Sequence, residues 1–261
     1  MTNKSILLPE GWGFDFLSKF QTIAFKNELA TFVQTPEWQN LLCDVTTVLH
    51  KCSEHAMEDR LKYTEDKALY LFFAAHSQYL ASVRSVVAGH CLAAYPTGRA
   101  TIEFALYGWY LATNAEAVSR WHNKPTAKND IKIWNNEFKF SELAKKLGIQ
   151  IQGLEKWAKY LHQTAIDFGG HPNPPGIYSN IEYQHSVDVS GNLKITYLHP
   201  WNDISKGTTK FTIETGMFTI SLFALGFPDA KQKLNLIQDT ERLSESLNHL
   251  VSVTEFDDTV V

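Results

Sequence analysis

The chain lacks most of the short patterns that announce a reaction. It has no GxGxxG, P-loop, GxSxG, HExxH or zinc-type Cys/His spacing, so the common nucleotide, hydrolase and metalloprotease chemistries have no support. Cysteine is scarce. Cys43, Cys52 and Cys91 form no CxxC, and an odd number in 261 residues fits reduced thiols rather than a disulfide framework. Charge of one sign never gathers into a block. A net charge of −4 without a Lys/Arg cluster argues against non-specific DNA binding and against a lipid surface. The longest apolar runs, 104–112 and 217–227, fall short of the roughly 20 residues that cross a bilayer. The opening MTNKSILLPEGWG has no signal-peptide core. Internal repeats and low-complexity segments are absent as well. These absences predict a cytoplasmic, soluble protein with no cofactor, no metal and no membrane association.

What is present is core-forming material. Aromatic residues reach 13%, including sixteen Phe and seven Trp, which a disordered chain does not carry. Asp15 is placed to cap a helix over 16–33, with Phe16, Phe20, Ile23, Ala24 and Leu29 at helical spacing. Thr35-Pro36-Glu37 restarts a helix that runs to about Arg60. Thr64-Glu65-Asp66 opens a long one to about Ala93, apolar almost all round, hence predicted to be central. Pro96-Thr97-Gly98 is expected to break it and start another over 99–113. Asn114 caps a short helix, Thr126 opens helical sequence to Gly148, and 151–168 form a further helix ended by Gly169-Gly170. The proline-rich HPNPPG at 171–176 is read as non-helical. Alternating Ile181, Tyr183, His185 and Val187, a Ser190-Gly191-Asn192 turn, then Leu193, Ile195 and Tyr197 predict a β-hairpin. Helices over about 208–225 and 229–253 follow, and a frayed acidic tail at 254–261. The predicted class is all-α: one helical domain over 1–261, a multi-helix bundle with a hairpin inserted near 178–199.

Candidate chemistry concentrates in two stretches, 84–110 and 166–176. Arg84, His90, Arg99 and Glu103 interrupt an otherwise apolar or small-residue sequence, and an ionisable group in a core needs a partner or a task. Arg99 and Glu103 stand at i, i+4 and can pair on one helix face; the plain reading is a structural pair, the functional one a pocket floor that orients an Arg toward an anion. His171, on a proline-stiffened loop with Asn173, is either part of a rigid turn or a presented acid/base group. His76 stands eight residues before Arg84, about 80° away on the wheel, and is expected to line the same interior. The proposed pocket therefore joins Arg84, His76, Arg99, Glu103 and Asn173, with Arg84, His90 and His171 as candidate catalytic groups. His50, Glu54, His55 and Glu58 read as a solvated polar face, because the Glu-x-x-His of di-iron bundles occurs only at Glu182 and His185.

Arg84-(x5)-His90 resembles the short Arg–His signature of the HEPN superfamily, in which paired protomers bring Arg and His onto the 2′-OH and phosphate of RNA. The run Tyr95-Pro96-Thr97-Gly98-Arg99-Ala100-Thr101-Ile102-Glu103, with Arg120-Trp121 and Asp167-Phe168-Gly169-Gly170-His171-Pro172-Asn173, is similar to a group of bacterial all-helical proteins of unassigned activity, loosely HEPN-like. The resemblance covers about 80–180. It implies a setting in bacterial stress or phage defence, and a homo-oligomer, a small anion or RNA as partners. Three readings follow: a binding or regulatory module acting through a polar pocket, a metal-independent ribonuclease using Arg84 with His90 or His171, and a purely structural interaction protein.

Overall fold

A computed structural model describes residues 9–59, 66–184 and 192–254. Twelve α-helices and one short antiparallel ribbon make up these residues. Helices α3 (Asp66–Val87), α4 (Cys91–Thr113) and α10 (Asp203–Gly226) form the centre, flanked by α2 (Pro36–Asp59), α8 (Gln152–Ala165) and α12 (Leu236–Val253). One continuous apolar cluster joins them, from Leu42 and Tyr79 through Ile102 and Trp109 to Phe218 and Leu243. The class is all-α, as the periodicity predicts. No helix among the described residues is long and apolar enough to cross a membrane.

Local chemistry starts and ends these helices. The Asp15 carboxylate accepts from the Ser18 backbone N–H at 2.9 Å and caps α1 (Phe16–Gln34). Asn114 caps α5 (Ala115–His122) through Ala117 at 3.1 Å. Helix α10 opens on a capping box of Asn202 and Ser205, five residues before the Thr208 start that periodicity suggests. Its buried threonines do not need outside partners: Thr208, Thr212 and Thr219 donate to carbonyls one turn back in their own helix, at 2.7, 3.0 and 2.8 Å.

Several boundaries move from their expected places. The break between α3 and α4 falls at Gly89, which has φ 87, rather than at Pro96-Thr97-Gly98. A side chain at Gly89 would also lie 2.4 Å from the His199 carbonyl oxygen, so the close approach excludes one. Pro96 lies inside α4. Lacking an N–H, it leaves the Leu92 carbonyl without its normal helical partner. The π-helical turn Ile166–Gly170 packs there: a Cβ on Gly169 would sit 2.6 Å from that oxygen. Phe168 stacks on Tyr95 with ring centroids 5.6 Å apart. The prolines after His171 do not exclude a helix, because Pro174 and Pro175 occupy its first turn, where no internal N–H bond is required, in α9 (Pro174–Tyr178). The sequence 126–148 splits into α6 (Lys128–Glu137) and α7 (Phe140–Gln150) at Phe138 and Lys139. The expected 229–253 helix divides into α11 (Pro228–Lys233) and α12 at Asn235, which has φ 55.

The ribbon pairs β1 (Ile181–Gln184) with β2 (Asn192–Ile195), Ile181 opposite Ile195. The turn around Ser190 and Gly191, His185, the Thr64-Glu65 helix start and the tail beyond Thr254 lie outside the described residues.

Candidate functional site

Helix α1 lies against the C-terminal half of α3 and encloses a cleft with it. The Asn27 side-chain amide donates to the Ala88 carbonyl and the Thr31 hydroxyl to the Val87 carbonyl, both at 3.1 Å. These oxygens end α3 and lack onward helical partners, so two α1 side chains satisfy them. The resulting cavity, about 400 Å³, is lined by Phe20, Phe25, Glu28, Arg84, Ser85 and His90 among others. The Arg84 side chain is 82% exposed and meets Glu28 through Nε at 3.4 Å, a long contact. The His90 ring lies edge-on to Phe20, centroids 5.0 Å apart, and burial pulls its pKa below the usual histidine value. Arg84 and His90 therefore share one cleft as an exposed cation and a half-buried, neutral imidazole.

Arg99 and Glu103 belong to a different neighbourhood. Arg99 Nε donates to Glu103 Oε1 at 2.8 Å, and His162 Nε2 of α8 donates to the same oxygen at 2.9 Å. The His162 ring stacks on Phe140 of α7, 3.7 Å between centroids and 12° from parallel. Burial opposes the Glu103 charge, yet the hydrogen bonds from His162 and Arg99 outweigh it and hold the carboxyl below the usual carboxylate value. This cluster locks α4, α7 and α8 together. Among the described residues, the ion pairs of Arg84 run to α1 and those of Glu103 to Arg99 and α8, and no bond joins the two sets.

The remaining sequence candidates are placed elsewhere. His171 is exposed, and the Asn173 amide donates to the Ile166 carbonyl at 3.0 Å, closing the turn rather than facing a cavity. The histidine that reaches Glu103 is His162, not His171. His76 bonds Ser53 through Nδ1 at 2.9 Å, between α2 and α3, and burial first, then His50, lowers its pKa. It lines a small enclosed space with Cys52, Ser53 and Phe72, whereas Arg84 faces solvent, so the two do not share an interior. The 80° separation assumed both side chains pointed inward; α3 turns the Arg84 side of its surface to the rim of α1. His50 and Glu54 pair at 3.3 Å on the exposed surface, but His55, read as part of the same solvated face, is buried, because it stands about 140° round the helix from His50.

Sequence reasoning missed Glu28, Phe20 and His162. Glu28 and Phe20 carry no local signal, since only the docking of α1 on α3 brings them to Arg84. His162 did: it adjoins Leu161 on the apolar stripe of α8, an edge position suited to a polar group bonding into the core. Comparison with family models, with curated proteins and with solved structures finds no match to this chain.

Proposed function

We propose that the chain is a cytosolic binding module that takes a small organic anion in the α1–α3 cleft. The observation that supports this reading is the convergence of Arg84, His90 and two phenylalanines on one cavity of about 400 Å³, within the usual size of a ligand site. Phe20 and Phe25 offer an apolar wall. Gln21 and Ser85 supply hydrogen-bonding groups. Arg84 supplies the charge, and its weak contact with Glu28 is readily exchanged for a ligand carboxylate or phosphate. His90, held neutral by burial, can donate or accept without adding charge. The test is thermal unfolding with phosphate, carboxylate and nucleotide anions. A ligand at a hundred times its Kd adds about 2.7 kcal/mol of stability. Arg84→Ala should remove that shift; no stabilisation by any anion would sink the reading.

A second reading, a metal-independent ribonuclease of HEPN type, draws on the same cleft. Arg84 would hold the phosphate and His90 would take the 2′-OH proton. Its test is RNA incubated with protein in EDTA, beside Arg84→Ala and His90→Ala. Absence of cleavage, or equal cleavage by all three, removes it. A setting in bacterial stress or phage defence, which the resemblance implies, goes with the binding-module reading as well as with this one.

A further inference from the structure

A second cavity lies further along α1 from the Arg84 cleft and shares none of its lining residues. It encloses about 190 Å³ between the C-terminal half of α1, the end of α3 and the segment that leads into α10. At roughly 30 Å³ per water there is room for about six. None of its described lining residues is charged. An ion placed there would lose its hydration without meeting a counter-charge, so this cavity selects against the anions that the Arg84 cleft is suited to take. The polar groups on its wall have spent their hydrogens elsewhere. Thr31 donates to the Val87 carbonyl at 3.1 Å, and buried Thr35 donates to the Thr31 carbonyl at 2.7 Å. Each hydroxyl oxygen keeps lone pairs. His199 is 4% exposed, and its Nε2 bonds Asn180 Oδ1 at 2.9 Å. The Asn180 amide nitrogen donates to the Gly176 carbonyl at 2.8 Å, which makes Oδ1 the acceptor and puts the His199 hydrogen on Nε2. Burial pulls the His199 pKa below the usual histidine value, so the ring is neutral. Its Nδ1 is then a lone-pair acceptor with no partner among the described residues, and it is not one of their atoms sealed from solvent. In so buried a residue, the opening left to Nδ1 is the cavity that the residue lines.

We infer that this cavity binds a small neutral polyol or monosaccharide, held by hydroxyl groups that donate to His199 Nδ1 and to the Thr31 and Thr35 oxygens. Three observations select that chemistry. The wall offers acceptors in excess, so the ligand must bring donors. It carries no charge, so those donors are O–H groups rather than ammonium groups. Apolar surface stands beside the acceptors: Val86, Val87 and Trp201 line the same space, and Trp201 is fixed edge-on by Trp38 with ring centroids 5.9 Å apart. A polyol or sugar presents both kinds of surface, hydroxyls on its rim and C–H groups on its face, and the latter are drawn to the negative face of an aromatic ring. Gln34, the exposed last residue of α1, also lines the cavity, and its side-chain amide has no partner among the described residues. With donor hydrogens and an acceptor oxygen, that amide can bond a further hydroxyl.

Anion binding in the Arg84 cleft plays no part in this, so the test uses the full chain carrying Arg84→Ala, whose cleft has lost its cation. Saturation-transfer difference NMR with glycerol, ribitol and glucose reads binding apart from the general stabilisation that such solutes give to folded proteins. At least one probe should bind, and the His199 Nδ1 resonance should shift as that atom accepts a hydrogen bond. A preference for ribitol or for glucose separates an open-chain polyol from a sugar ring. Ala30→Leu, which puts a larger side chain into the cavity, should abolish the signal. Gln34→Leu, at an exposed position, should raise the dissociation constant about tenfold. If Ala30→Leu loses helical content by circular dichroism, Gln34→Leu alone decides. No transfer to any of the three probes leaves an ordinary water-filled cavity and overturns the inference, as does binding that the variants leave unchanged. So does acetate binding more tightly than the three probes in the same protein, which assigns the cavity to an anion.

Discussion

Helices α1 and α10 draw on similar residues, with Phe, Leu, Ile and Thr prominent in both, yet fifteen residues of α10 are buried against one of α1. Helix α10 is surrounded: α2, α3, α4, α8 and α12 all pack on it, and its hydroxyls bond inside the helix. Helix α1 rests on α2 and α3 along one side only. A helix that is apolar all round is stable only when covered all round. The contrast separates a helix that completes the core from one that lies on its rim, forms one wall of a cleft, and offers a second apolar side outward. The pairs Arg99–Glu103 and Arg84–Glu28 follow the same division. Arg99–Glu103 is tied to α8 behind the core, while Arg84–Glu28 bridges the rim helix to the body.

The largest break in this contrast comes from the centre. Gly216→Val in α10 puts atoms where a Cβ alone would already lie 2.4 Å from Val45 Cγ1 and 2.6 Å from the Tyr79 ring. Both neighbours are fully buried and cannot retreat, so a loss of about 3 kcal/mol in urea unfolding is expected. At the rim, Asn27→Ala strips the Ala88 carbonyl of its partner and should cost about 1 kcal/mol. Hydrogen exchange should quicken in α1 and leave α10 protected, because only the rim helix is loosened.

Acid should act on both regions with different signatures. Neutral His90 under Phe20 favours docked α1 above the free-histidine value near about 6.5, and that contribution is lost as pH falls through its lower folded value. Exchange in α1 should rise across this range, and His90→Gln should flatten the rise. Glu103 has its carboxyl held down, so its contribution is present above about 4.3 and lost only as pH falls through its lower folded value. Glu103→Gln should cost under about 1 kcal/mol at neutral pH, solvent screening at this partly exposed pair keeping the effect small. The smallest change is Arg84→Ala. With the side chain 82% exposed and a 3.4 Å contact, it should alter stability by less than about 0.5 kcal/mol. A large unfolding shift from Arg84→Ala would erase the distinction between the two pairs.

Much of the fold was legible because its signals are local. Asp15, Asn114 and the Thr35-Pro36 restart act within a turn of themselves, and the structure uses each boundary. Pro96 misled for the same reason. A proline normally ends a helix, but here its cost is confined to one carbonyl, Leu92, against which the Gly169 backbone packs. No local pattern contains that neighbour. The site was legible in part. The residues 84–103 hold Arg84, His90, Arg99 and Glu103, yet Arg84 with His90 and Arg99 with Glu103 face different partners. His171 drew attention through its prolines, while His162, in an ordinary helix, makes the bond to Glu103.

The sequence by itself determined the all-helical class, most helix starts and the pairing of Arg99 with Glu103, because each depends on residues within a few positions of one another. Tertiary structure alone decided that Arg84 faces solvent beside Glu28, that His90 lies under Phe20, and that α1 leaves a full apolar stripe uncovered. The physical reason is that exposure and partnership belong to packed surfaces: helical spacing tells which side chains share a face, and only the arrangement of the other helices tells whether that face is covered.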